Sequence, residues 1–539
     1  MKPFDESGRF HPVVGEMRGL AVRGAGVTVF SAGLGLGVQV VSTMILARLL
    51  TPRDFGLVTM VTTFSLLLMN VGLNGFTEAV LQREELDHAL ASNLFWINVG
   101  VGLVLTLVFA AAGSLLARFY GNPLVASVTV GVSLTIFITS TSVIHLALLK
   151  RAMRFSVTSA NDISAAAVAF TVAILLAWQG WGYWALVAGV VALPLFQSLG
   201  AWYLCRWVPS LPRRLPGTGS AVWFAMSVYG RFGVNYFARN LDNLLVGWRF
   251  SAQALGFYKK AYDLFALSAG QLVAPLLNVA VSALSRLRND LDQYKRYFLQ
   301  ALAVIAFVGM GLGANLTLIG KDVIRLLLGP GWEPAGRVFT YFGPGIGIMI
   351  LYYTHGWIHL SIGKPNRWFY WGIFEFAFTA LSFVVGLHWG PVGVAAAWTA
   401  SFWILALPAF WYAGKPIHFG VGPVVAAVWK YPVASLLAGG ATAGILSAIP
   451  WFGAGSGAAW AAARIAMISA MFGTLYFGAV FLLFGGREPF YQLASLMREM
   501  VPWNRLAKTS EAAPAIPEPA PSEVLEPVET GELLYPQSD

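Results

Sequence analysis

The chain has 539 residues, 57% of them hydrophobic and only 11% charged, with a formal net charge of +10. A soluble domain carries about 25% charge, so the composition excludes an ordinary soluble enzyme. The basic excess lies mostly in short connections between apolar runs, where it reads as membrane topology rather than as a nucleic-acid surface.

Met1 to Arg23 is polar with scattered basic residues, and no short apolar core followed by a small-residue cleavage site is seen there. From about residue 27 onward, apolar runs of bilayer-spanning length follow one another. Backbone polar groups inside a bilayer must be satisfied within each segment or by a closed barrel. The runs are too long for barrel strands, so the chain is expected to be an all-α membrane protein. Apolar length and turn punctuation predict about fourteen spans, the first near 27–50 and the last near 460–484. Lysines and arginines fall about three to one on alternate connections, which predicts both termini in the cytoplasm. The lone Cys205 allows neither a disulfide framework nor a cysteine-rich metal site.

A repeat runs through the body. ARLLTPRDFGLVTM, Ala47 to Met60, matches WRFSAQALGFYKKA, Trp248 to Ala261, and sets Gly56 against Gly256. LLARFYGNP ending at Pro123 matches IRLLLGPGW ending at Trp332; KRAMRF from Lys150 matches KPNRWF from Lys364; QGWGYWALVAG from Gln179 matches LHWGPVGVAAA from Leu387. Two six-helix units of equal orientation are therefore expected, with a site between them. The expected boundaries are about 1–26 for a cytoplasmic segment, 27–210 and 211–413 for the two lobes, 414–485 for two extra helices and 486–539 for a cytoplasmic tail. The tail is rich in Pro, Ala and Glu beyond about residue 509 and is expected to be disordered there.

The stretch from Tyr229 to Tyr262 carries Arg231, Asn235, Arg239, Asp242 and Asn243 within an apolar segment. Steps of four, eight, eleven and twelve residues place them close to one helix face. A charge at mid-bilayer costs about 2.5–3.5 kcal/mol, so this face must look into a bundle or a wet cavity. It reads either as an Arg–Asp clasp between helices or as a cationic site for an anionic substrate. The repeat carries these positions onto Ser31, Gly35, Gln39, Ser42 and Thr43, a neutral polar stripe that would line the same cavity. GLGLG, Gly33 to Gly37, suits close packing or bending.

Other residues have two readings each. Tyr229, Tyr236 and Trp248 could stack on sugar rings or simply pack. Glu78, Asp162 and Asp242 are candidates for an ion-coupling acid, with Glu375 as a further one. Glu78 follows Asn70 and Asn74 on an i, i+4, i+8 stripe. Lys259 and Lys260 could gate the outer end or snorkel. His355 and His359 have metal-ligand spacing but no third ligand nearby, so polar lining is expected and no metal. No nucleotide-binding loop is present, no cofactor is implied, and no large loop could hold an enzyme site.

ILARLLTPRDFGLVTM and RNLDNLLVGWRFSAQALGFYKKAY resemble the matched half-starts of Wzx-type polysaccharide flippases. These belong to the multidrug/oligosaccharidyl-lipid/polysaccharide exporter superfamily, and the resemblance covers about Val27 to Ala413. It implies two lobes with alternating access and a lipid-linked oligosaccharide as cargo. The cargo would move from the cytoplasmic to the periplasmic leaflet of the inner membrane. Membrane lipids and a polysaccharide polymerase or export machinery are the implied partners. On this resemblance Arg231 and Arg239 would meet the diphosphate, with Asn235 and Asn243 as hydrogen-bond partners. The two extra helices depart from the usual twelve-helix body of this branch. A lipid II-like flippase or a cation-coupled drug exporter is the alternative within the superfamily.

Overall fold

A computed structural model describes residues 3–10, 17–83, 85–215, 217–449, 457–491 and 493. Side chains at 17–30, 32, 231, 234, 235, 238 and 268–279 lie outside that description. Residues Met1–Arg487 make one compact unit, and Glu488–Asp539 are grouped separately.

The chain is all-α. The first half contains α1 (Met17–Leu49), α2 (Pro52–Gln82), α3 (His88–Ala111), the short α4 (Gly113–Tyr120), α5 (Leu124–Arg151), α6 (Phe155–Trp178) and α7 (Tyr183–Cys205). The second half contains α8 (Thr218–Arg249), α9 (Ala252–Arg286), α10 (Leu291–Leu328), α11 (Glu333–Tyr353), the short α12 (His355–Ser361), α13 (Pro365–Gly386) and α14 (Gly390–Gly414). Two more stretches follow, α15 (Val421–Ala448) and α16 (Ala458–Phe484), and pack on α10.

Among the described residues, nine helical stretches are long and apolar enough to cross a membrane. One of the nine, Pro365–Ile417, contains the consecutive helices α13 and α14. α8, which carries Arg239 and Asp242, and α9, whose side chains at 268–279 lie outside the described residues, are not among the nine.

Local chemistry starts the helices. Thr51 and Asp54 form a reciprocal capping box ahead of α2, and Ser251 caps α9 at the equivalent place. Inside α2, Val71–Phe76 form a π-helical turn. Asn74 Nδ2 donates to Asn70 Oδ1 at 2.5 Å across it. The expected Asn70–Asn74–Glu78 stripe changes register there, because a π turn holds more residues than an α turn.

The halves meet closely at one end of the bundle, the apex, where α1 gives way to α2 and α8 to α9. A Cβ at Gly56 would stand 1.6 Å from the carbonyl oxygen of Ala252, and one at Gly256 would stand 1.9 Å from that of Pro52. Trp332 Nε1 donates to the carbonyl of Ala47 at 2.9 Å. In the mirrored place, a Cβ at Gly247 would stand 3.0 Å from the Tyr120 ring. Each half thus lays its apex turn on the end of the other half's first helix.

At the opposite end, the base, α8 is fastened to the first half. Arg83 donates to the Gly217 carbonyl and to Ser220 Oγ, both at 2.8 Å. Asn93 bonds the backbone of Arg213, and Ala221 and Ala225 join the apolar cluster of Phe76, Val80 and Leu94. A Cβ at Gly33, Gly35 or Gly37 would meet open space, so of the two readings of GLGLG close packing is not seen at these glycines.

Candidate functional site

The polar stripe of α8 divides. The side chains of Arg231 and Asn235 lie outside the described residues. Arg239 is exposed and lies over the Tyr353 ring of α11, 5.6 Å from its centroid. An exposed guanidinium in a membrane helix does not face hydrocarbon, so this flank of α8 borders a wet space. Tyr353, Tyr262 of α9 and Glu375 of α13 are its electrostatic neighbours.

Asp242 is fully buried and does not line that space. Its carboxylate accepts hydrogen bonds from the Tyr258 hydroxyl at 2.8 Å, from Trp398 Nε1 at 2.9 Å and from the Asn243 backbone N–H at 2.8 Å. The expected Arg–Asp clasp is absent among the described residues; three neutral donors hold the acid. Asp242 lies about 60° round the helix from Arg239 and one turn nearer the apex, where its donors come from α9 and α14 of the second half. Asn243 is 1% exposed and its side-chain amide has no hydrogen-bond partner among the described residues. Its angular position matches that of Arg239, but it lies one turn nearer the apex, where the halves converge.

Gln39 and Thr43 of α1 share a cavity of about 100 Å³ with Lys260 and Asp263 of α9 and with Ile324 and Leu327 of α10. Ser42, one residue from Thr43, is buried and is not in its lining. Lys259 and Lys260 both pair with Asp263, Lys260 at 3.8 Å, and Lys260 also lies 4.4 Å over the Phe55 ring of α2. This cluster sits two to three turns into α9 and bridges the halves just inside the apex.

The other acids belong elsewhere. Asp162 is exposed on α6 and accepts from Gln197 Nε2 of α7 at 2.6 Å, which makes it part of the α6–α7 contact. Glu78 is half-buried near the base end of α2. Gly75, close to it, packs on Ala225, and Arg239 lies fourteen residues beyond Ala225, roughly 21 Å along α8. Glu375 has the partners that sequence reasoning could not name: Arg239 and the Tyr352 hydroxyl.

Of the aromatics that could stack on sugar or simply pack, two hold helices together. The Tyr236 hydroxyl donates to the Thr63 carbonyl at 2.7 Å, and Trp248 stacks on Phe119. His355 and His359 are buried at 2% and 0% exposure rather than lining the wet space. Sequence reasoning missed Tyr258, Tyr262, Tyr353 and Trp398. The first two lie four apart on α9 with Phe265 three beyond, a helix-face pattern that was visible in the spacing.

Residues 45–337, more than half of the chain, match the family described as polysaccharide biosynthesis protein. Among curated relatives, the lipopolysaccharide biosynthesis protein WzxC of Escherichia coli (strain K12) is 22% identical over 59% of this chain and 65% of its own length. The match thus spans a little under two thirds of WzxC. The succinoglycan biosynthesis transport protein ExoT of Rhizobium meliloti (strain 1021) is 21% identical over 70% of this chain and 76% of its own. Among solved structures, the lipid II flippase MurJ in an inward closed conformation aligns over 86% of this chain and 99% of its own, with a TM-score of 0.64 at 14% identity. A multidrug resistance MATE family transporter of the MOP superfamily, inward-facing, aligns over 71% and 94%, with a TM-score of 0.53 at 12% identity. These two likenesses are likenesses of fold. The family match runs from the end of α1 into α11 and takes in the apex contacts of both halves; this multi-pass membrane chain belongs to the polysaccharide biosynthesis protein family.

Proposed function

We propose that the chain is a flippase that carries a lipid-linked oligosaccharide of the polyprenyl-diphosphate type from the cytoplasmic to the periplasmic leaflet, by alternating access of its two halves. It is a transporter and not an enzyme. The observation that carries this reading is Arg239, a guanidinium exposed at membrane depth in a chain whose family makes polysaccharides. An arginine fork suits the paired oxygens of a diphosphate. Arg231, two turns toward the base on the same helix, extends the cationic track. Asn235 lies between them, and Gln39 borders the small apex cavity that a sugar hydroxyl could reach.

On this reading the apex is the periplasmic side and is closed in this conformation, while both termini and the base are cytoplasmic, in the inner membrane. Lys259 and Lys260, both tied to Asp263 and the second laid against Phe55, form the outer gate. Asp242 supports the second half from within, and the polymerase or export machinery receives the product. The lipid tail stays in the bilayer throughout.

The test is transfer of a fluorescent polyprenyl-diphosphate-linked saccharide across proteoliposome bilayers. Transfer above that of protein-free vesicles is expected. Absence of transfer, with ion-driven efflux of small organic cations in its place, would move the assignment to a drug exporter.

A further inference from the structure

Arg239 has a built-in companion. On α13, Trp371 and Glu375 lie one turn apart and meet α11 through Tyr352. Trp371 Nε1 donates to the Tyr352 oxygen at 2.8 Å. Glu375, one turn beyond Trp371 on α13, is an electrostatic neighbour of the Tyr352 hydroxyl. Glu375 is half-buried, on the side of α13 that meets α8. The groups around it are Tyr352 of α11 and Arg239 of α8; Tyr353 of α11 and Tyr262 of α9 complete the ring around Arg239. The His355 ring packs on Tyr352 at 4.6 Å and is the next titratable group outward.

Arg239 and Glu375 do not form a contact ion pair among the described residues. Asp242 is not among the electrostatic neighbours of Arg239, and Tyr258, Trp398 and the Asn243 N–H hold it inside the second half. One acid is thus near enough to balance the guanidinium and far enough to leave its fork open.

We propose that Glu375 is a resident counter-anion for Arg239, which an anionic headgroup displaces on binding and which takes Arg239 back on release. This rests on the reading that Arg239 meets the anionic cargo. A lone cation at membrane depth is costly. A carrier that returns empty therefore needs an internal anion where the cargo's phosphate had been. Glu375 supplies it, and by competing for Arg239 it weakens binding and speeds release. It is a positioning residue: it acts on the cargo through Arg239. Low pH protonates Glu375, removes the competitor and tightens anion binding.

The experiment uses the purified full chain in detergent, with farnesyl diphosphate as probe and a farnesyl sulfonate, whose charge does not titrate, beside it. Binding is measured for wild type, Arg239→Gln, Glu375→Gln and Glu375→Asp, and transfer rates are measured in proteoliposomes. Glu375→Gln is expected to bind the probes roughly threefold to tenfold more tightly while turning over more slowly, so that KM and kcat fall together. Glu375→Asp is expected to stay close to wild type. Wild-type affinity for the sulfonate is expected to rise as Glu375 takes up its proton on acidification, and the Gln variant's to stay flat. Loss of binding in Arg239→Gln, with unchanged or weaker binding in Glu375→Gln, would overturn this proposal and leave the Arg239 site standing. Undiminished binding in Arg239→Gln would overturn both. If Glu375→Gln does not fold, Glu375→Ala takes its place, and unchanged or weaker probe binding in that variant overturns the proposal.

Discussion

Gly56 and Gly256, two hundred positions apart, occupy each other's missing side-chain space. A Cβ on the first would collide with the Ala252 carbonyl, and one on the second with the Pro52 carbonyl. Thr51 and Ser251 cap the two helices that cross there. The crossing is backbone on backbone, and it seals the apex.

Gly56→Ala and Gly256→Ala are each expected to prise the apex apart. Neither carbonyl can move without shifting a helix start, so each variant should lose roughly 1–3 kcal/mol of the sealed state. With Cys205 replaced by serine, a reporter cysteine at Ser251 should label faster from the apex side in both variants than in the parent. Equal labelling would mean that the crossing does not seal the apex.

Asp242 should be a stability residue first. Replacement by leucine leaves the Tyr258 hydroxyl and Trp398 Nε1 buried without an acceptor, at about 1–3 kcal/mol each. Asparagine keeps one acceptor oxygen and should cost less. Thermal unfolding in detergent checks the order wild type, Asn, Leu; a leucine variant as stable as wild type would contradict the hydrogen-bond account.

The Lys259–Asp263–Lys260 cluster has one anion for two cations. Asp263→Asn should therefore hurt more than Lys259→Gln, because it leaves two neighbouring cations facing each other. The difference is expected to be about 1 kcal/mol, since these side chains are partly exposed, and to shrink at high salt. Melting temperatures at low and high salt read this directly.

Much of the fold was legible because membrane helices must satisfy their own backbone, so long apolar runs declare themselves. The repeat was legible too, and Gly56 with Gly256 shows why: a backbone crossing tolerates only glycine at both places. α8 declares itself less plainly, because Arg239 and Asp242 break its apolar run. The division of the α8 stripe was hidden for a different reason. Arg239 and Asn243 share an angular position, and only the convergence of the halves one turn further on buries the second. Asp242 looked like a partner for Arg239, whereas its donors come from α9 and α14, sixteen and 156 residues away. The partners of Glu375 were equally invisible, since α8 and α11 reach it only in three dimensions.

The most direct measurement is the initial rate of lipid-linked saccharide transfer in proteoliposomes for wild type, Arg239→Lys and Arg239→Ala, with insertion checked in each. The expected result is loss of transfer in the alanine variant and partial transfer with lysine, which keeps the charge without the planar fork. Wild-type transfer by correctly inserted Arg239→Ala would contradict a cationic site at Arg239.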